Sequence, residues 1–330
     1  MRCCNLQYCT KYLVTIKRTV MTAVEQALDD ISINRIKSHI QSIEGIRHPV
    51  TASEALQQSA GYIRKTLTSL GYDMSDHCFN DGGSSFSNVI ATRRGTLYPD
   101  QRVIVMAHFD TVSTSPGADD NASGVALLLE LATTFKEARF EKSIQFIGVN
   151  LEECSEEGCH GKGTRGSRAL AKFAREKGWD IEGVVVLESV AYAGASYSQL
   201  IPPGIPIETP GAGDFIAVIG NDSSKGMVLK FCAAVERHGI PLPCIPLVVP
   251  GNGEIFPDTR RSDHAPFWDQ GYRAIMLTDT TNFRNPHYHT PSDTLETLNL
   301  IFAREVCRAT GALVMELAGR QIDLAGGQSL

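Results

Sequence analysis

Five short stretches of the chain carry the imidazole and carboxylate groups that metal-assisted hydrolysis needs. They are His108 in MAHFDT, Asp119 in GADDNASG, the adjacent Glu152 and Glu153 in NLEECSEEG, Glu188 in VVVLESV, and His289 in NPHYHTPSDT. Two histidines and three carboxylates form a nitrogen and hard-oxygen donor set without thiolate. Such a set suits zinc at a catalytic site with open positions, with cobalt or manganese as substitutes. A carboxylate can bridge two ions, and Asp119 is the natural candidate; two ions about 3.5–4 Å apart can hold a hydroxide and polarise a carbonyl together. One member of the Glu152–Glu153 pair can face the metals while its neighbour works as a general base. The pair alone leaves open which is which. Asp110, two residues after His108, is placed to accept the second ring N–H and fix the tautomer. Asp293, in HTPSDT, is placed to orient the region of His289.

Residues so far apart must be brought together by the fold. The runs NVIAT, RVIVMA, SIQFIGV, GVVVLE, DFIAVIG and RAIMLTD read as strands, several apolar throughout as in strands buried on both faces. Helical spacing marks residues 23–46, and again 56–70 behind a Thr51–Glu54 capping box, with Gly71 as the stop. Further helices are expected over 121–136, 165–177, 223–238 and 298–317. Strands alternating with helices of this length predict an α/β sandwich around a largely parallel sheet. His108, the Glu152–Glu153 pair and Glu188 then fall at carboxyl ends of strands, where open α/β sheets bind ligands. Long irregular stretches at 153–166, 193–213 and 249–264 read as rims of such a site.

Bulk properties narrow the class. With 330 residues, 42% of them apolar, the chain can build a full core, and no linker divides it. Residues 21–330 read as one domain behind a flexible tail over 1–20. A net charge of -6 disfavours nucleic acid and anionic membranes as partners. No apolar run reaches the roughly 18 residues of a membrane span. Nine cysteines, an odd number in a long chain, read as mostly reduced thiols; Cys154 and Cys159 could form a local disulfide. The basic N-terminus lacks a continuous apolar segment and a cleavage site, so a cytoplasmic location is expected.

Singly, each motif has an ordinary reading. A Glu pair is usually a solvated face, and DDNASG suits a helix N-terminus. Glu188 is harder to dismiss, because a carboxylate closing a run of valines must be paired or metal-bound. Ser262, Asp263 and His264 name the three triad residue types, but consecutive residues cannot adopt triad geometry. Cys154, Cys159 and His160 lack a second pair to complete a metal knuckle.

Together, AHFDT, GADDNASG, NLEE, LES, RRSDHAPFW and NPHYHTPSDT, in this order, resemble the co-catalytic zinc aminopeptidase family. That family includes bacterial secreted aminopeptidases, glutamate carboxypeptidase and glutaminyl cyclase. The resemblance covers about Thr51 to Leu317. It implies a phosphorylase/hydrolase-like three-layer α/β/α sandwich with a mixed, mostly parallel sheet and two zinc ions. The implied ligands are His108, bridging Asp119, Glu153, Glu188 and His289, with Glu152 as base and Tyr288 on the developing oxyanion. It also implies a cis peptide after the bridging aspartate, here Asp119–Asp120. The implied substrate is a peptide with a free N-terminus. A carboxypeptidase would need a cationic pocket, for which Arg260, Arg261 and Arg284 are candidates. A cyclase usually lacks the first histidine, and an inactive binding module of this fold usually loses ligands.

Overall fold

Alternation of apolar side chains along the central strands sets the architecture. The computed structural model describes residues 23–153, 163–205, 207 and 211–319. The expected tail and the Cys154–Cys159 stretch lie outside these. Among the described residues the strands are β1 Asp73–Asp81, β2 Ser84–Arg93, β3 Tyr98–His108, β4 Lys142–Val149, β5 Asp180–Glu188, β6 Gly194–Ser198, β7 Ala212–Gly213, β8 Ile216–Asn221, β9 Cys244–Val249 and β10 Ala274–Thr278. In β3, Val103, Val105 and Ala107 enter one core while Ile104 and Met106 enter the other. In β5, Val185 and Leu187 face the first core, Val184 and Val186 the second. Both faces of a strand this apolar must be covered, and helices cover them.

Helices α1 Ala23–Asp29, α2 Ile33–Ile43, α3 Ser53–Ser69, α4 Gly124–Phe135, α6 Lys225–Arg237 and α8 Leu300–Ala318 line the first core. Helices α5 Arg165–Glu176 and α7 His264–Asp269 line the second. The sheet has eight strands in the order β1-β2-β4-β3-β5-β10-β8-β9, with β6 and β7 forming a separate pair. Pairs β3–β4, β3–β5, β5–β10 and β8–β9 are parallel; β1–β2, β2–β4 and β8–β10 are antiparallel. This is the mixed, mostly parallel sandwich that the motifs imply.

The winding creates the site. From β3 the chain passes through α4 on one face to β4, then through α5 on the other face to β5, on the opposite side of β3. A crevice opens at such a reversal, outside the carboxyl ends of the strands. The register places His108 level with Val149 and Glu188 level with Thr278, so the four strand ends share one edge.

Two local readings need correction. The helix expected over residues 23–46 is two helices, broken where Ser32 caps α2 and its backbone N–H donates to the buried Glu130 (2.6 Å). The Thr51–Glu54 capping box does not form. Helix α3 starts at Ser53, and the Thr51 hydroxyl meets His48 Nδ1 instead (3.1 Å). The sequence pattern does not predict β1 and β9, the two edge strands, or the short β6 and β7, which lie in the stretch 193–213 expected to be irregular; β1 is largely polar and exposed, and β9 is apolar but only partly covered. Among the described residues, Cys78, Cys232, Cys244 and Cys307 are free, as expected. No helix among the described residues is long and apolar enough to cross a membrane.

Helix α4 is buried almost all round and seats the turn carrying the acidic pair against β3 and β5. Replacing the enclosed Leu128 with alanine should cost about 2–5 kcal/mol. Equilibrium urea unfolding checks this; a loss under 1 kcal/mol would show that α4 does not carry the packing assigned to it.

Candidate metal and catalytic centre

His108 is the last residue of β3 and fully buried. Glu188 ends β5, and Glu152 and Glu153 follow β4 after Leu151. Leu151 (φ 57°), Ser189 (φ 47°) and His289 (φ 59°) are all left-handed. Such conformations cost about 1–3 kcal/mol each in non-glycine residues and persist where the surroundings enforce them. Here they turn the chain at three ligand-bearing positions. Gly117 (φ 60°) opens the turn Ala118–Ser123, where a Cβ would strike the Asp120 carbonyl and the Thr111 side chain.

The side chains converge on Asp120. Its Oδ1 lies 3.2 Å from His108 Nε2, and its Oδ2 lies 3.2 Å from His289 Nε2. Glu188 Oε1 is 3.3 Å from His108 Nε2, and Glu153 Oε1 is 3.1 Å from His289 Nε2. Two triads result, His108–Asp120–Glu188 and Asp120–Glu153–His289, each with donor atoms within 4.8 Å of one another. Asp120 belongs to both. Against the cost of burial, bonds from His108 and His289 hold Asp120 well below the usual carboxylate range. Burial and the adjacent Asp120 push Glu153 up to about 7. Burial opposes charge on His289, yet Glu153 and Asp120 raise it to about 10. A buried group of three carboxylates and two imidazoles, all hard or borderline donors, fits divalent cations such as zinc.

The surrounding bonds fix this cluster. Ser262 Oγ donates to Glu188 Oε2 (2.5 Å). The Asp110 carboxylate accepts from the backbone N–H groups of Glu152 and Glu153 (both 3.0 Å). His108 Nδ1 lies 3.2 Å from the Asp110 carbonyl and 3.6 Å from its carboxylate, so the orienting contact expected from Asp110 is shared with its backbone. Asp293 does not act on His289: it accepts from the N–H groups of Asp119 (2.9 Å) and Asp120 (3.2 Å), holding the acidic turn.

The residue expected to bridge, Asp119, lies outside both triads, and its neighbour Asp120 stands in both. Asp119 faces away from both triads, accepting from Ala191 N–H (3.1 Å) and Asn285 Nδ2 (2.9 Å). Burial and the hydrogen-bonded Asp279 carboxyl push Asp119 well above the carboxylate range, and burial raises Asp279 to about 6. The cause is backbone rotation inside the turn, where Asp120 (φ -107°, ψ 89°) leaves helical geometry. The cis peptide is likewise one step further, at Asp120–Asn121. Ser262, Asn285 and Asp279, which complete the surroundings, lie inside the quoted runs RRSDHAPFW, NPHYHTPSDT and RAIMLTD, but sequence reasoning gave them no role. Ser262 stood in a motif rightly rejected as a triad; His264 there packs on Trp268 and meets Thr259 O (2.8 Å).

Glu152 belongs to neither triad but lines the same cavity as Asp120, Glu153 and Glu188. Burial and the carboxylates of Glu188 and Glu153 push it well above its ordinary value, while His108 opposes them. Tyr288 also lines the cavity; its ring stacks on His289 (3.8 Å) and its hydroxyl accepts from Arg261 Nη2 (3.1 Å). Of the three arginines considered, Arg260 is taken by Asp269 and Arg284 by Gln199 and the Phe215 carbonyl. Arg261 reaches the cavity.

The sequence profile of peptidase family M28 matches residues 88–227 and 246–314, a span containing every residue of both triads. The chain belongs to peptidase family M28. This M28 chain is 31% identical over 264 residues to the uncharacterized protein YfbL of Escherichia coli K12, covering 76% of this chain and 78% of that one. Its fold matches BSAP, a zinc aminopeptidase from Bacillus subtilis, with a TM-score of 0.67 at 16% identity over 90% of this chain and 97% of that one. It also matches a glutaminyl cyclase from Porphyromonas gingivalis with a TM-score of 0.68 at 19% identity, over 87% and 98% of the two chains. At such identities the likeness is one of fold. Membership places the chain among zinc-dependent peptidases.

The buried acids make the metal-free M28 chain sensitive to pH. Burial raises Asp263 and Asp293 to about 7 and Asp279 to about 6, beside Glu153 at about 7. A carboxyl with a raised folded pKa contributes stability at low pH that is lost as pH rises through that value, and the raised histidines lose theirs above about 6.5. Metal-stripped protein should therefore melt at progressively lower temperature from pH 5 to pH 8, with zinc restoring most of the loss at pH 8. Calorimetry across that range with and without chelator checks this. A flat or rising profile would contradict it.

Proposed function

We propose that the chain is an aminopeptidase, with residues 21–330 acting as one peptidase domain and two zinc ions held by His108, Asp120, Glu153, Glu188 and His289. The observation that carries this reading is the sharing of Asp120 between the two triads, with Glu152 beside them on the same cavity. Zinc ions bound there would lower the pKa of water and polarise the scissile carbonyl. Glu152, not engaged in the cage, takes the proton of the attacking water and returns it to the leaving amine. Tyr288, held by Arg261 and stacked on His289, presents its hydroxyl to the developing oxyanion.

The cavity, about 610 Å³ including its open mouth, continues from the acidic cluster into a recess walled by Ile219, Leu247, Met276 and Phe283. An apolar side chain fits this recess, and the nearby carboxylates favour a free α-amino group. A carboxypeptidase is the second reading, favoured by Arg261 alone, since a guanidinium at the mouth matches a substrate carboxylate.

Peptides free or blocked at either end separate the two. Cleavage should require a free amino terminus and be fastest with an apolar first residue. Activity on N-blocked peptides with a free carboxylate would replace this reading with the carboxypeptidase, and cyclisation of N-terminal glutamine would replace both. Glu152→Gln should keep its metal and lose about 10²–10⁴-fold in kcat. A metal-loaded variant with near-normal kcat would remove Glu152 from the mechanism.

A further inference from the structure

Arg47, in the segment between α2 and α3, is one of the largest fully enclosed side chains, at 1% exposure. A buried arginine ordinarily meets a carboxylate. This one donates only to backbone carbonyls. Nε bonds Phe109 O (2.8 Å), Nη1 bonds Ile43 O (2.9 Å), Gly45 O (2.6 Å) and Pro116 O (2.8 Å), and Nη2 bonds Gly117 O (3.0 Å). Its backbone is fixed as well, donating to Thr111 Oγ1 (2.8 Å) and accepting from Thr111 N–H (3.3 Å).

The carbonyls belong to three segments; a backbone bond from Gly45 N–H to Pro116 O (2.9 Å) also joins two of them, and the guanidinium adds the third. Ile43 and Gly45 close α2. Phe109 directly follows His108 at the end of β3. Pro116 and Gly117 lead into the turn that carries Asp120. A planar guanidinium directs its N–H groups along fixed vectors, so it sets distances between its acceptors in a way a single ammonium cannot.

We propose that Arg47 is a positioning residue for the metal cage, fixing the spacing between His108 and Asp120 by clamping the backbone beside both. The proposal rests on the reading of His108–Asp120–Glu188 as a cation site. Arg47 touches neither substrate nor metal; it acts through the two segments it joins. Burial pulls its pKa down to about 10, and the nearby carboxylates of Asp110, Asp120 and Asp293 offset part of that cost.

The test is a Co2+ titration of the metal-stripped full chain, read by affinity and by the visible d–d bands, which report ligand geometry. Arg47→Lys keeps the charge and loses the fork. It should weaken the tighter Co2+ site about tenfold or more and alter the bands. At saturating metal, kcat should fall while KM stays near the parent value. Thr111→Ala, which frees the Arg47 backbone, should shift affinity in the same direction by less, and Thr111→Ser should match the parent. If Arg47→Lys folds and shows the parent's affinity and spectrum, the proposal is overturned, even if its melting temperature drops. If Arg47→Lys does not fold, a parent-like Thr111→Ala overturns it. Failure of the parent itself to bind Co2+ would instead remove the metal-site reading beneath it.

Discussion

The two oxygens of one carboxylate, each 3.2 Å from a different histidine, are the contact on which the centre turns. His108 comes from the end of a core strand and His289 from a loop 181 positions later by number, and Asp120 belongs to the triads of both. Much of the nearby structure serves that position. Asp293 holds the backbone N–H of Asp120, Asn121 ties the same turn to Leu187 and Ser189 on the β5 side, and Arg47 grips Gly117 ahead of it. Loss of any one would leave a buried donor or acceptor unsatisfied, at about 1–3 kcal/mol, and would also loosen the carboxylate.

The second constraint is charge. Parallel strands ending on one edge deliver carboxylates into a space that β3, β4 and β5 leave little exposed to water. Without a cation, burial and the neighbouring Asp279 push Asp119 up, while bonds from His108 and His289 hold Asp120 down. Folding thus places the acids at a cost that a bound cation offsets. Affinity for metal and stability of the fold then become one coupled quantity. The pH dependence expected of the metal-free chain has the same origin.

Much of this was legible in the sequence because it rests on strong local signals. Runs such as RVIVMA and GVVVLE are too apolar for anything but buried strands, and their final residues mark the crevice. His108, the Glu152–Glu153 pair and Glu188 stand out in this way, whereas His289 and the choice of Glu153 over Glu152 rest on the family resemblance; His108, Glu153, Glu188 and His289 all lie in the two triads. Asp119 was not the right member of its pair. Adjacent aspartates have the same chemistry, and their facing depends on a backbone rotation set by Asp293, Ala191 and Asn285, all distant in sequence. The same limit explains the capping box at Thr51, where His48 competes for the hydroxyl. It explains Asp293 too, whose role is set by partners more than 170 positions away. Arg47 gave no signal, since its acceptors are backbone atoms that any sequence supplies.

The most direct measurement is anomalous diffraction at the zinc edge from crystals of the zinc-loaded protein. The account predicts two peaks flanking the Asp120 carboxylate, one against His108 and Glu188 and the other against Glu153 and His289, with Asp119 touching neither. A single peak, or density ligated by Asp119, would contradict it.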